Sequence, residues 1–152
     1  MRKLLASAVL LLAACTSTRA TAPVTSPEIR IVQTSGVPPA ARNMSGPIPL
    51  RYAVRVTNRA KEPITLKRVT AQSIGSGAYE LRSQSKPFND EIAAEGRRDV
   101  EFWASGFVAD PTILGANGPV TIRLIVHFDS PKGEFDEIVV QQVNALGSRQ
   151  EP

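Results

Sequence analysis

From Glu28 onward, apolar residues recur at every second position, the spacing of a strand that buries one face. Leu50, Tyr52, Val54 and Val56 alternate with Arg51, Ala53, Arg55 and Thr57, the cleanest strand in the chain. A first strand carries Ile29 and Ile31 and ends near Gln33. A proline-rich loop running from Gly36 through Pro49 follows it; its prolines have no N–H for a ladder and suit an edge or crossover. After a turn at 58–63 come Ile64 and Leu66, then Val69 and Ala71; the change of phase predicts a bulge at Lys67-Arg68. Further strands are predicted around Tyr79 and Leu81, around Val100 and Phe102, and from Val120 to Phe128. Phe88 and Ile92 read as loop residues, and Ser105 to Gly118 as a long connection with one helical turn started by Asp110-Pro111. Ser130-Pro131-Lys132-Gly133 reads as a hairpin turn. The strand it returns, about 134–143, has apolar residues on both faces, so its phase stays open.

Seven short strands, turn signals about every ten residues and no amphipathic helix predict an all-β fold. The expected architecture is a two-sheet immunoglobulin-like sandwich of antiparallel strands. It lacks the Cys pair and buried Trp of antibody domains. Val56-Thr57-Asn58, Pro63-Ile64-Thr65-Leu66 with Val69, and Ile92-Ala93-Ala94-Glu95-Gly96 before Val100 and Phe102 resemble the late-embryogenesis-type (WHy) sandwiches. That resemblance spans roughly residues 50–104, departs at Arg59 where the family has a proline, and implies a fold rather than a function.

The first residues follow another rule. Arg2 and Lys3 precede an uncharged apolar run, Leu4 to Ala14. Eleven residues cannot span a hydrocarbon core that needs about 20. A charged head, a short apolar stretch and small residues at its end make a secretory signal. Leu12-Ala13-Ala14-Cys15 resembles the lipobox of bacterial lipoproteins, and Cys15 is the one cysteine of the chain. The plainer alternative is an ordinary signal cut after an alanine, with Cys15 incidental. The resemblance implies cleavage before Cys15, a diacylglyceryl thioether on its sulfur and an acyl group on the new amine. Two or more acyl chains anchor stably, because each buried methylene contributes about 0.8 kcal/mol. In a Gram-negative envelope, Thr16 rather than Asp after the cysteine implies the outer rather than the inner membrane. The predicted organisation is therefore signal peptide 1–14, lipidated Cys15 with a Thr/Ser/Pro-rich tether 15–27, sandwich 28–146 and frayed tail 147–152.

Charge says little about partners. The precursor carries 18 basic and 14 acidic residues; losing Arg2 and Lys3 leaves 16 against 14, a mature charge of +2. No nucleic-acid partner is expected on that balance. One histidine, His127, and one cysteine make zinc sites and Ser/His/Asp or Cys/His sets unexpected. No glycine-rich loop leads into a helix to cradle phosphate. His127 alternates with Val126 and Phe128 and reads as a surface residue. Asp136 and Glu137 are adjacent on a strand and so face opposite ways. The expectation is no catalytic residue, no metal ligand and no cofactor. Arg51 and Arg55, with Asp99 and Glu101, should form either a basic face or, as the favoured reading, a cross-strand ladder of ion pairs.

One feature resists assignment to packing. Alternation puts Trp103 on the outer face, followed by Phe107, Val108, Ile113 and Leu114 in the long connection. The connection either folds over Trp103, the favoured arrangement, or leaves Trp103, Phe107, Ile113 and Leu114 as a partner patch. The functional expectation is an envelope lipoprotein, not an enzyme, whose sandwich is an interaction or assembly module with an envelope protein partner. The alternative is a binder that passes a small ligand or glycan onward.

Overall fold

The computed structural model describes residues 25–35, 46–108 and 119–144. The signal and Cys15 lie outside these residues, as do Asp110-Pro111, Ile113 and Leu114. Eight strands form two four-stranded antiparallel sheets. They are β1 (Glu28–Gln33), β2 (Ile48–Thr57), β3 (Ile64–Ser73), β4 (Glu80–Leu81), β5 (Gln84–Ile92), β6 (Arg97–Phe107), β7 (Val120–Ser130) and β8 (Gly133–Val143). The first sheet has the order β1-β2-β6-β4 and the second β5-β3-β7-β8.

Alternation builds the core as the sequence predicts. Leu50, Tyr52, Val54 and Val56 from β2 and Val100 and Phe102 from β6 point into the sandwich. Ile122, Leu124, Val126 and Phe128 of β7 meet them from the other sheet, all fully buried or nearly so. Fully burying one such side chain contributes about 1.5–3 kcal/mol. The phase change in β3 is a register shift between Leu66 and Arg68, in both its ladders. The bulge lets Leu66 and Val69, three apart, both face inward. The turn after Ser130 closes as expected: Ser130 Oγ donates to Gly133 O at 2.9 Å, and Gly133 takes φ 115°, a value suited to glycine.

Two expectations need correction, and one left open is resolved. The strand count is eight rather than seven, because Phe88 and Ile92 belong to β5, not to a loop. This edge strand alternates between half-buried and exposed residues, with Pro87 and three charged residues within it. Such protection of an edge erases the apolar signature. Phe107 lies in β6 rather than in the connection, since β4 pairs with Gly106 and Phe107 and holds the strand straight. The phase of β8 is now settled: Phe135 and Val139 pack against the core, while Ile138 and Val140 are exposed.

Two buried polar centres brace the ends. Asn58, 2% exposed, has its amide Nδ2 within hydrogen-bond reach of Glu62 O (2.9 Å), Ile92 O (3.3 Å) and Ala93 O (3.0 Å). Its Oδ1 accepts from Ala60 N at 2.9 Å, and its own N–H donates to Gly96 O at 2.8 Å. One side chain thus joins the β2–β3 turn to the β5–β6 turn, where Glu95 takes φ 55° ahead of Gly96. At the other end, Tyr79 Oη donates to Gln33 Oε1 at 2.6 Å and accepts from Tyr52 Oη at 2.6 Å. Gln33 Nε2 passes the chain on to Ser35 O at 2.7 Å. Burial pushes the Tyr79 phenol up to about 12 and drives Tyr52 higher still, with Tyr79 adding to the effect on Tyr52.

Candidate interaction face and edge

Adjacent β2 and β6 set the outer face of the first sheet. Their register pairs Arg51 with Trp103, Ala53 with Glu101 and Arg55 with Asp99. Arg55 grips Asp99 through two hydrogen bonds of 2.9 Å. The guanidinium holds the Asp99 carboxyl below its usual range, and Asp99 in turn raises Arg55. The expected ladder stops there. Arg51 does not reach Glu101; its guanidinium carbon lies 3.9 Å from the Trp103 ring centroid, a cation–π contact. A flat guanidinium directly across a non-hydrogen-bonded pair stacks on the indole more readily than it reaches a diagonal carboxylate.

Trp103 is 50% exposed. Arg51 covers one part of it; of the connection 105–118 expected to fold over it, residues 109–118 lie outside the described ones. Phe107 shares its face of β6, half-buried, with the Arg82 guanidinium 4.8 Å from its ring centroid. The structure therefore brings Trp103 and Phe107 to one face of one strand, four residues apart, each with an arginine over its ring. Ile113, Leu114 and Cys15 lie outside the described residues.

Beside this face runs an edge that alternation alone did not reveal. Two glutamines reach from the second sheet to edges of the first that no strand among the described residues occupies. Gln84 Nε2 donates to Ser105 O at 2.7 Å while its Oε1 accepts from Ser105 N at 3.0 Å. Gln141 repeats the arrangement on β1, donating to Ile31 O at 2.9 Å and accepting from Ile31 N at 3.2 Å. Each amide makes the two bonds that a neighbouring strand's peptide groups would make. Lys86 Nζ adds a bond to Glu101 O at 3.0 Å. Gln141 shares the inward phase of Val139 and Val143, but the sequence left the phase of that strand open and so did not mark it.

Other surfaces are less organised. His127 Nδ1 meets Asp136 Oδ1 at 2.5 Å across β7 and β8, and no hydroxyl bonds to the ring among the described residues. Asp136 is exposed and Glu137 half-buried, on opposite faces as expected. Ile138, 65% exposed, lies opposite Ile125 on the outer face of the second sheet, next to Val140. A cavity of about 390 Å³ at the end where β1 begins is lined by Arg59, Lys61, Glu62, Glu95 and Lys132 among others. Its cations are largely satisfied: Arg59 pairs with Glu28, and Lys132 with Glu62 at 3.3 Å. Among the described residues, no three His, Cys, Asp or Glu side chains gather to hold a metal, and no helix is long and apolar enough to cross a membrane.

Comparison with solved structures returns matches of low sequence identity. A Bordetella pertussis protein assigned as ApaA aligns with 80% of this chain and 97% of its own, at 17% identity and a TM-score of 0.48. The structural-genomics target SoR45 covers 77% of this chain and 83% of its own, at 7% identity and a TM-score of 0.49. A protein from Archaeoglobus fulgidus covers 77% and 94%, at 10% identity and a TM-score of 0.47. No family model and no curated protein matches the chain. What is established is an all-β two-sheet sandwich.

Proposed function

We propose that this chain is the precursor of a bacterial lipoprotein, and that its sandwich is a non-catalytic interaction module held to the envelope by lipid on Cys15. The observation that carries the reading is the run Leu4 to Ala14 ending in Leu12-Ala13-Ala14-Cys15, with β1 beginning thirteen residues later at Glu28. The intervening Thr/Ser/Pro-rich stretch spans at most roughly 45 Å when extended, enough to hold a sandwich clear of the headgroups. Thr16 favours the outer membrane. The contact region in this reading is the Trp103–Phe107 face, since a half-exposed tryptophan flanked by arginines has the composition of interface anchors. The sheet orders, β1-β2-β6-β4 and β5-β3-β7-β8, support the immunoglobulin-like description.

The alternative, carriage of a small ligand, draws on the cavity beside Arg59 and Lys132. It is the weaker reading because those two cations are already bound by Glu28 and Glu62. Labelling cells with a radioactive fatty acid tests the proposal. The wild-type chain takes up label; Cys15→Ser accumulates as unlabelled, uncut precursor. Normal maturation of Cys15→Ser would overturn it.

A further inference from the structure

We propose that the open edge of β6, from Asp99 to Ser105, is a strand-addition site for an extended peptide with an apolar residue opposite Trp103 and a basic residue opposite Glu101. This deepens the interaction-module reading by naming its partner chemistry, and it does not depend on the lipid anchor.

The register fixes which backbone groups face outward. Arg51 directs both its N–H and its carbonyl toward the β1 side, to Ser35 Oγ and to Thr34 and Ser35 N. The pair Arg51–Trp103 is therefore a non-hydrogen-bonded one, so Trp103 also turns its N–H and carbonyl away from β2. Glu101 and Ser105 share that parity, as the Lys86 and Gln84 bonds to them require. β4 takes up only Gly106 and Phe107 and then stops. Beyond it, the Trp103 N–H and carbonyl meet no partner among the described residues.

The groups now at this edge are placeholders. Gln84 imitates one peptide unit at Ser105, and Lys86 supplies one donor at Glu101. All three bonds are solvent-exposed, and an exposed side chain gives way readily to a strand that offers the same bonds in register. An incoming strand continues the line of β4, antiparallel to β6.

Side chains specify the partner. On the outer face, Trp103 offers half its surface to an apolar neighbour. Asp99 is neutralised by Arg55, but the Glu101 carboxylate has no ion-pair partner among the described residues; Lys86 binds its carbonyl instead. A basic residue two positions from the apolar one satisfies it.

The probe is the acetylated, amidated peptide Thr-Val-Ile-Val-Lys-Val-Thr, added to the full-length chain while the emission of its single tryptophan is followed. The expected result is a saturable change, with binding weakened about tenfold or more when the Ile and Lys nitrogens are methylated, because those two N–H groups face β6. Glu101→Gln weakens the unmodified peptide roughly threefold, and Gln84→Ala strengthens it. Lys86→Met, which uncovers the Glu101 carbonyl, also strengthens it and serves if Gln84→Ala folds poorly. Equal binding of the methylated peptide, or no saturable change up to about 5 mM, a concentration at which even weak strand addition shows, would overturn the proposal.

Discussion

Replacing Asn58 with alanine isolates the most concentrated polar contribution in the fold. The change strips the Ala60 N–H of its acceptor and three carbonyls, of Glu62, Ile92 and Ala93, of their donor. A net hydrogen bond contributes about 1 kcal/mol, and a group left buried without a partner costs about 1–3 kcal/mol. Some of these turn carbonyls regain water once the side chain is gone, so the sum is taken as about 3 kcal/mol. At a urea dependence of about 2 kcal/mol/M that shifts the midpoint down by about 1.5 M, with the slope unchanged. Trp103 emission and circular dichroism should report the same midpoint. Asn58→Asp should cost as much or more at neutral pH, since it sets a carboxylate against three carbonyl oxygens. A loss below about 1 kcal/mol for alanine, too small for one buried orphan, would refute the view that this side chain joins the two turns.

Three further outcomes follow from other parts of the sandwich. The Tyr79 phenol sits at about 12 in the fold against roughly 10 unfolded. The Tyr79 contribution to stability is therefore complete below pH 10 and falls by about 2–3 kcal/mol as the pH rises toward 12, beside a further loss from Tyr52; Tyr79→Phe should make the decline in alkaline urea titrations shallower, and an unchanged slope counts against the buried relay. Gly106→Ala would place a Cβ 2.5 Å from Leu50 Cδ1 and 3.3 Å from the Tyr79 ring. Overpacking of this kind costs about 1–3 kcal/mol in a thermal melt, and a melt equal to wild type would show that Leu50 has room to move. Residues 28–146 alone should unfold in one cooperative transition, because the hydrophobic core, from Ile29 to Val143, lies within that range; a disordered circular dichroism spectrum would contradict this.

The strands that face water on one side and core on the other were legible in the sequence. β2 and β7 alternate without interruption, and the bulge in β3 announced itself as a break in phase. Legibility failed at the two border strands of the second sheet. β5 carries Lys86 and Asp90 at half-buried positions and Pro87 between them, so period two survives in exposure but not in residue type. β8 fails the opposite way: Ile138 and Val140 are as apolar as Val139, and only the sheet partner decides which faces in. At the candidate site, the outward direction of Trp103 followed from alternation, as did the Arg55–Asp99 pairing. The Arg51–Trp103 stack and the two glutamine clasps depend on cross-sheet distances that no local pattern encodes.

The central claim of the account is lipid on Cys15, and mass spectrometry of the detergent-extracted chain tests it most directly. After trypsin, the amino-terminal peptide should run from Cys15 to Arg19. It should carry the mass of a diacylglyceryl group on sulfur and an acyl group on nitrogen. An amino-terminal peptide that retains residues 1–14, or one that begins elsewhere or at an unmodified Cys15, would contradict the account.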